Sequence, residues 1–466
     1  MVIEEDRIIE SLAGIVGEDY VSNRPEELYM YARDSGTEGP RRVDYVVLPK
    51  TVEQVQAIVR LANDNGIPIT PMGSNLTLNG LGLPVRGGMV VDMKRMDKIL
   101  ELNRPARYVV IEAGVSQGRL ANYLERHAPD LEHPRPEAPP MATVVGNVMI
   151  RGHGQLSLKG GNNSHMINGM EVVLPTGEVC PIGAWSVSPW PFCKGPMPDL
   201  AGLFCGWHGT TGIVTRLSLK LFPKRRLLDV AGMVVNDPDM LPEVLYAITH
   251  TDMVDNLFVV GFAPLGGPAE SAQFITINIT GDLEEELEFK RARFNRVAEE
   301  CGGDDKGVHF MKKVPMALKN RFIEHPLSVD PAMAADFYKG GGYRYCGGIL
   351  PIPRIPEAWR RGIQIAHRNQ IGFNAGIQVL GYCHSAMFGF VYAFNRADEE
   401  SVERVRQAMR ETNELVFELG GIPWKAEADA QKQIVQRMAP NTYQLMQRVR
   451  RILDPNGIMN PGNWSA

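Results

Sequence analysis

Apolar positions in the first hundred residues repeat with two periods, which predicts strands that alternate with helices. Residues 43–49 are apolar apart from Asp44 and end in a proline, as in a buried strand. Residues 51–62 carry an apolar stripe at helical spacing, and Thr51 stands where an N-cap residue belongs. Residues 67–70 predict a second strand, which runs into a loop that begins at Pro71. This order predicts an α/β domain with a loop at the carboxyl end of a strand.

The same patterning predicts the rest of the chain. Residues 4–32 are expected to form a largely helical arm, and residues 134–140 a proline-rich loop. Ser116 is placed to cap the helix that follows it. Further strands are predicted at 89–93, 108–115, 229–235 and 274–279, and further helices at 117–126, 284–301, 356–369, 399–419 and 442–453.

Four glycine-rich or small-residue segments occur between Pro71 and Arg216, at residues 71–80, 146–154, 169–178 and 212–216. Such loops let backbone N–H groups approach and hydrogen-bond a pyrophosphate. In this order the segments resemble the FAD-binding domain of the vanillyl-alcohol oxidase/p-cresol methylhydroxylase (PCMH) superfamily. The resemblance continues through residues 199–204 and the closing segment 454–462, and so covers nearly the whole chain.

The resemblance implies an α+β fold: a PCMH-type FAD-binding domain of two α/β subdomains plus a mixed α/β cap domain that holds the substrate. We expect the FAD-binding domain with its N-terminal helical arm over 1–225, the cap over 226–424, and a C-terminal segment over 425–466 that returns to the FAD-binding domain.

FAD is the cofactor that the resemblance implies, and no GxGxxG fingerprint supports a nicotinamide-binding alternative. Phe388 stands where some relatives attach the flavin covalently, so we expect FAD to bind without a covalent bond. The predicted cofactor-binding residues are Met72, Gly73, Ser74, Asn75, Leu76, Thr77, Thr143, Gly146, Asn147, Arg151, Gly152, Gly154, Gly212, Ile213, Val214 and Asn460.

One branch of the superfamily oxidises para-substituted phenols and benzylic alcohols. The sequence of the flavin-domain segments favours this branch. Where that branch has a Tyr–Arg pair for the phenolate, this chain has Trp424 and Lys425. Lysine supplies a positive charge but not the bidentate fork of arginine. Glu137 stands near the position of that branch's catalytic carboxylate. Predicted substrate-binding residues are Tyr343, Arg344, Tyr345, Trp424 and Lys425, with the two tyrosines on one strand face and Arg344 on the other.

A second branch oxidises D-2-hydroxy acids such as lactate and glycolate, often with a His-rich metal site. Here the corresponding loop has a single histidine, His384, and Glu427 lacks a histidine after it. A lone histidine cannot build a metal site, so none is predicted. His384, Glu137 and Glu427 are the candidate bases for the hydroxyl proton. The third alternative is a flavin-binding subunit that relays electrons within a larger complex.

Composition adds limits on location and partners. Apolar residues make up 44% and charged residues 22% of the 466 residues, as in ordinary globular proteins. The net charge of −5 argues against general nucleic-acid binding, and no apolar run approaches the ~20 residues of a membrane span. The acidic N-terminus and six scattered cysteines predict a cytoplasmic location without disulfides. We expect a small-molecule substrate, a homo-oligomer or hetero-complex, and an acceptor protein or iron–sulfur or cytochrome subunit for the electrons.

Overall fold

The computed structural model describes residues 2–34, 36–77, 79–136, 138–266, 272–316, 319 and 340–465. Within these residues the helices are α1 Val2–Val16, α2 Pro25–Tyr31, α3 Val52–Asn65, α4 Gln117–His127, α5 Val144–Met149, α6 Ser157–Gly160, α7 Leu241–His250, α8 Glu284–Glu300, α9 Ile355–Arg368, α10 Glu399–Glu418, α11 Ala428–Arg437 and α12 Pro440–Leu453.

The strands fall into three large sheets and one two-stranded ribbon. They are β1 Val21–Ser22, β2 Tyr45–Val47, β3 Ile69–Met72, β4 Met89–Asp92, β5 Ile99–Asn103, β6 Tyr108–Glu112, β7 Leu131–Glu132, β8 Ile167–Val173, β9 Val179–Gly183, β10 Ile213–Lys220, β11 Phe222–Pro223, β12 Leu227–Val235, β13 Asn256–Ala263, β14 Gln273–Gly281, β15 Val308–Met311, β16 Gly341–Leu350, β17 Phe373–Leu380, β18 Ser385–Asn395 and β19 Ile422–Trp424.

The first sheet has the order β1-β2-β4-β3, with β2 and β3 both parallel to β4. Helix α3 connects β2 to β3, as the apolar pattern predicted. Thr51 caps this helix, because its hydroxyl accepts a hydrogen bond from Gln54 N, and Ser116 caps α4 through Arg119 N. The cap positions read from the sequence are therefore confirmed.

The second sheet has the order β5-β6-β10-β8-β9 and is antiparallel throughout. One core of buried side chains joins it to the first sheet. Strand β6 ends at Glu112, three residues before the predicted end. The chain crosses Met93 closely there: a Cβ on Gly114 would lie 2.4 Å from Met93 O. This crossing places the ends of β4 and β6 beside each other.

The third sheet has eight strands in the order β15-β12-β14-β13-β17-β18-β16-β19 and begins at Leu227. Helices α7 to α10 lie side by side on it and close a second core. Phe388 belongs to that core and stacks on Phe390 with the ring centroids 4.6 Å apart. On the opposite face, α6 contacts β13 and β17, where Gln378 Nε2 donates to Gly154 O at 2.9 Å. The sheet thus joins the second core to the first two sheets.

The C-terminal tail returns to the first sheet. Ile69 N donates to Ile458 O and Asn460 N donates to Ile69 O, both at 2.7 Å, so the tail runs alongside β3. Trp464 Nε1 donates to Gly206 O at 3.0 Å. No helix in the described ranges combines the length and apolarity needed to cross a bilayer.

Candidate active site

A cavity lies where β3, α5, the start of β10 and the residue after β19 meet. It is lined by Pro71, Met72, Gly73, Ser74, Asn75, Leu76, Thr77, Leu81, Gly82, Met93, Ala113, Ala138, Ala142, Thr143, Val145, Gly146, Asn147, Met149, Ile150, Phe204, His208, Gly209, Gly212, Ile213, Val214 and Lys425.

The loop after β3 packs against the start of α5 with no room for side chains at two glycines. A Cβ on Gly73 would lie 2.4 Å from Thr143 Oγ1, and one on Gly146 would lie 2.6 Å from the same oxygen. Thr143 N also donates to Ser74 Oγ at 3.4 Å. Both glycines are therefore required to bring the loop and the helix into backbone contact around Thr143.

A second close approach joins this loop to the segment before β10. Gly209 has a φ of +72°, and a Cβ there would lie 2.5 Å from Pro71 Cγ. Three of the four segments that the sequence analysis grouped thus meet around one cavity. The fourth, residues 169–178, forms most of β8 and the turn after it, and β8 pairs with β10 in the second sheet.

Two buried polar atoms of the cavity loop have no hydrogen-bond partner within the described part of the chain: Asn75 Oδ1 and Thr77 Oγ1. Buried polar groups normally have partners, so these atoms require a ligand or solvent. Thr77 can donate to a phosphate oxygen, and Asn75 Oδ1 can accept from a sugar-alcohol hydroxyl. The pyrophosphate and ribityl groups of FAD offer both partners, so the residues present fit this cofactor.

Twelve of the sixteen predicted cofactor-binding residues line the cavity, namely Met72, Gly73, Ser74, Asn75, Leu76, Thr77, Thr143, Gly146, Asn147, Gly212, Ile213 and Val214.

The other four predicted cofactor-binding residues lie behind the cavity wall. A Cβ on Gly152 would lie 2.2 Å from the side-chain nitrogen Nδ2 of Asn147, and one on Gly154 would lie 2.2 Å from Arg135 O. Arg151 is directed to Cys205 O, and its own carbonyl accepts from Trp424 Nε1 at 3.3 Å. Asn460 accepts from Thr70 and donates to His208 O. These residues position the lining rather than form it.

Lys425 is the lining residue that comes from the C-terminal half of the chain. Its Nζ lies 4.5 Å from the ring centroid of Trp424 and 5.6 Å from that of Tyr345. Burial lowers the pKa of Lys425 to about 8. The His153 ring lies 4.6 Å from Trp424, and burial, aided by the charge of Lys425, lowers the pKa of His153 to about 3. Lys425 therefore brings a titratable ammonium, with aromatic rings beside it, to this end of the cavity.

The backbone around Lys425 is held from several sides. Trp424 pairs with Gly347 across β19 and β16. Lys425 itself has a φ of +52°, and its carbonyl accepts from Asn79 Nδ2 at 2.8 Å. A left-handed conformation at a residue other than glycine is uncommon and persists only where the surroundings fix it.

The three predicted residues of β16 separate by strand face, as expected. Tyr345 lies edge-on to Trp424, and its hydroxyl donates to Met387 Sδ. Gly389 leaves room for this ring, because a Cβ there would lie 2.0 Å from Tyr345 Oη. Tyr343 is buried less than Arg344 and stands two residues from Tyr345 on the same face.

Arg344 is fully buried on the opposite face, where its Nε donates to Met409 Sδ at 3.0 Å and its Nη2 lies 3.8 Å from Glu427 Oε2. Of the five predicted substrate-binding residues Lys425 alone lines the cavity; Arg344 does not, and neither do Tyr343, Tyr345 and Trp424. The long side chain of Arg344 is instead enclosed between the sheet and α10.

The three candidate bases have different outcomes. His384 is exposed in the turn between β17 and β18, outside the cavity lining. Glu427 accepts from Asn413 Nδ2 at 3.1 Å and pairs with Arg344 behind the cavity; burial raises its pKa, which Arg344 opposes. Glu137 lies outside the described residues, and its neighbour Ala138 lines the cavity.

Sequence reasoning did not select His208 and Gln431, which connect the cavity to the tail. Gln431 Nε2 lies 2.9 Å from His208 Nδ1 and donates to Ala426 O and Asn463 Oδ1. Burial lowers the pKa of His208 to about 4. A polar residue inside the helical pattern of α11 was the only signal for Gln431, and it does not identify a partner.

Comparison with known proteins identifies the family of this chain. A family model for FAD binding domains matches residues 43–183, and a model for the C-terminal domain of FAD linked oxidases matches residues 261–464. D-lactate dehydrogenase of Anaerostipes hadrus is 24% identical over 91% of this chain and 90% of its own length. Glycolate oxidase subunit GlcD of Bacillus subtilis is 23% identical over 98% and 96%.

Two solved structures share the fold over nearly their whole lengths. A substrate-bound p-cresol methylhydroxylase has a TM-score of 0.85 at 20% identity, over 98% of this chain and 96% of that one. A 4-ethylphenol oxidase from Gulosibacter chungangensis has a TM-score of 0.83 at 20% identity, over 99% and 97%. The chain therefore belongs to the FAD-linked oxidases, and its fold is the PCMH-type fold that the sequence predicted.

Proposed function

We propose that this FAD-linked oxidoreductase oxidises a small aromatic substrate, a para-substituted phenol or an aromatic alcohol, at its benzylic or hydroxyl-bearing carbon. The observation that carries the proposal is Lys425, which lines the cofactor cavity and whose ammonium has the rings of Trp424 and Tyr345 beside it. A phenolate or aryl oxygen would take the positive charge, and the substrate ring would pack against the aromatic side chains.

Lys425 suits a phenol because its pKa is about 8. A lysine with this pKa carries its charge at neutral pH but exchanges a proton more readily than an exposed lysine, whose pKa is about 10.4. It can therefore stabilise a developing phenolate by donating a charge-assisted hydrogen bond. Trp424 Nε1 is already engaged with Arg151 O, so Trp424 contributes its ring rather than a donor.

FAD would be held by the loop after β3 and by the start of α5, and when bound it supplies the hydride acceptor. We keep Glu137 as the proposed acceptor of a hydroxyl proton, because it adjoins Ala138 in the cavity wall. We infer that His384 and Glu427 play no direct part, because one is exposed and the other is paired with Arg344. The cofactor bond is proposed to be non-covalent, since the core position of Phe388 offers no nucleophile.

A second candidate is a D-2-hydroxy acid. The relatives named D-lactate dehydrogenase and glycolate oxidase subunit match more than nine-tenths of this chain, and Lys425 could equally pair with a carboxylate. We rank this candidate second because a small hydroxy acid makes no use of the rings beside Lys425.

Anaerobic reduction of the FAD-loaded protein, followed in the visible spectrum, separates the candidates. We expect 4-alkylphenols or 4-hydroxybenzyl alcohols to bleach the flavin band and D-lactate and glycolate to leave it unchanged. Bleaching by the hydroxy acids alone would contradict the proposal and support the second candidate. Bleaching by neither class, with prompt reduction by dithionite, would point to the electron-relay subunit.

A further inference from the structure

Behind the Lys425 end of the cavity lies a buried ion pair, Arg344 and Glu427, for which the proposed reaction has no direct use. The Arg344 side chain has no exposed surface, and that of Glu427 is 16% exposed. Their closest charged atoms, Arg344 Nη2 and Glu427 Oε2, are 3.8 Å apart. Two charges removed from water carry a large desolvation cost, so such a pair is a weak source of stability. Its presence next to the site therefore points to another role.

Both partners are joined to β16 or to α10, which packs on β16. Arg344 sits in the middle of β16 and donates to Met409 of α10. Glu427 accepts from Asn413, one turn further along α10, and Asn413 also accepts from Cys346 Sγ at 3.5 Å. Glu427 is thus bound at the contact between β16 and α10.

Glu427 also ends the short segment that presents Lys425. The segment leaves β19 at Trp424, turns through the left-handed Lys425, and enters α11 after Glu427, whose carbonyl accepts from Gln431 N at 2.8 Å. Between these ends the Lys425 and Ala426 carbonyls are held by Asn79 and Gln431. A side-chain anchor at residue 427 limits how far the strained residue at 425 can relax.

We propose that Arg344 and Glu427 are positioning residues: they do not touch the substrate, but through the Trp424–Glu427 segment they hold the Lys425 side chain in the cofactor cavity. The proposal deepens the proposed function and rests on the role given there to Lys425. Loss of the pair would let Lys425 turn towards solvent, where its ammonium is fully hydrated.

The test uses the FAD-loaded protein in which both charges are replaced, Arg344→Met with Glu427→Met, because the double variant leaves the net charge around Lys425 unchanged. The readout is the pH midpoint of Lys425 acetylation, measured by competitive labelling with acetic anhydride and mass spectrometry. We expect the midpoint to rise from about 8 by more than one pH unit, towards the ordinary lysine value of about 10.4. An unchanged midpoint in a folded, FAD-loaded double variant would overturn the proposal.

The matched control is the exposed pair on the same domain, Arg361→Met with Glu418→Met, which should leave the midpoint in place. If the double variant does not fold, Asn413→Ala removes one anchor of Glu427 and alters no charge. We expect its midpoint to rise as well, by a smaller amount, and no rise in Asn413→Ala would also contradict the proposal. Labelling does not depend on turnover, so the two proposals can fail separately. If the double variant has a raised midpoint but the wild-type protein does not oxidise aromatic substrates, the proposed function is wrong and the positioning role is still supported.

Discussion

At the scale of single residues, Lys425 concentrates most of the site's chemistry. It is a half-buried lysine in a left-handed conformation, with its ammonium near two aromatic rings and its carbonyl bound by Asn79. The environment favours the neutral amine more than water does, which is the cause of the lowered pKa. Anion binding in the cavity should therefore depend on pH in a range where exposed lysines do not titrate.

We expect benzoate, used as an aromatic anion, to bind the FAD-loaded protein more weakly as the pH rises above about 8. Lys425 is charged below its pKa and neutral above it, so the attraction is present at low pH and lost at high pH, by about tenfold per pH unit. Spectral titration of the flavin between pH 6.5 and 9.5 measures this. Lys425→Met should bind weakly at every pH, and a wild-type profile that is flat across this range would refute the assignment.

Gly73 shows a second residue-scale requirement. Gly73→Ala should lower the affinity for FAD by about tenfold to a hundredfold, since overpacking costs about 1–3 kcal/mol and the new Cβ would lie 2.4 Å from Thr143 Oγ1. Fluorescence titration of the apoprotein with FAD gives the affinity. Gly202→Ala is the control, because a Cβ there meets nothing within 4 Å. Equal affinities of the two variants would rule out this account of the loop.

At the scale of elements, α11 and the tail form one unit around the buried amide of Gln431. The amide oxygen accepts from Trp464 N at 2.7 Å, and the nitrogen donates to Ala426 O and Asn463 Oδ1. His208, which lines the cavity, lies on the same amide. The tail is thereby connected both to the segment that carries Lys425 and to the cofactor cavity.

Gln431→Leu should lower the melting temperature and release FAD faster on dilution. Each buried group left without a partner costs about 1–3 kcal/mol, and this substitution leaves several. The rise of flavin fluorescence on heating gives the melting temperature, and its rise with time after dilution gives the rate of FAD release. Gln444→Leu, on the exposed side of α12, should behave like the wild type. A Gln431→Leu protein with unaltered melting and FAD retention would show that the tail is held by other contacts.

How much of this the sequence could predict depends on the range of the interactions. The glycine loops and the caps at Thr51 and Ser116 were predictable, because local backbone geometry restricts which residues fit there. The opposite faces of Arg344 and Tyr345 followed from strand alternation alone. The exposure of His384 and the enclosure of Glu427 under α10 could not be predicted from the sequence. They depend on how the β17–β18 hairpin and α10 pack against distant parts of the chain.

At the scale of the whole molecule, two cores are joined at an interface that contains the cofactor cavity. Three buried histidines, His133, His153 and His208, lie in the part that holds FAD. Burial lowers their pKa values to about 3, about 3 and about 4. The folded protein keeps them neutral, whereas the unfolded chain binds protons near pH 6.5.

Stability should therefore fall as the pH drops below about 6.5, and continue to fall towards pH 4. Each of these histidines lowers the free energy of unfolding by about 1.4 kcal/mol for every pH unit below about 6.5, because only the unfolded state takes up its proton in this window. Thermal melting at pH 7.5, 6 and 5 measures the slope. His133→Gln should reduce it, while His384→Gln, in an exposed turn, should not. A melting temperature that is independent of pH over this range would contradict the prediction.

The most direct test of the central claim is a crystal structure of the FAD-loaded protein with a 4-alkylphenol or benzoate bound. We expect the ligand's oxygen to lie within about 3.2 Å of Lys425 Nζ and its ring to pack against Trp424 or Tyr345. A ligand bound elsewhere in the cavity, or a Lys425 side chain turned away from it, would refute the role proposed for Lys425.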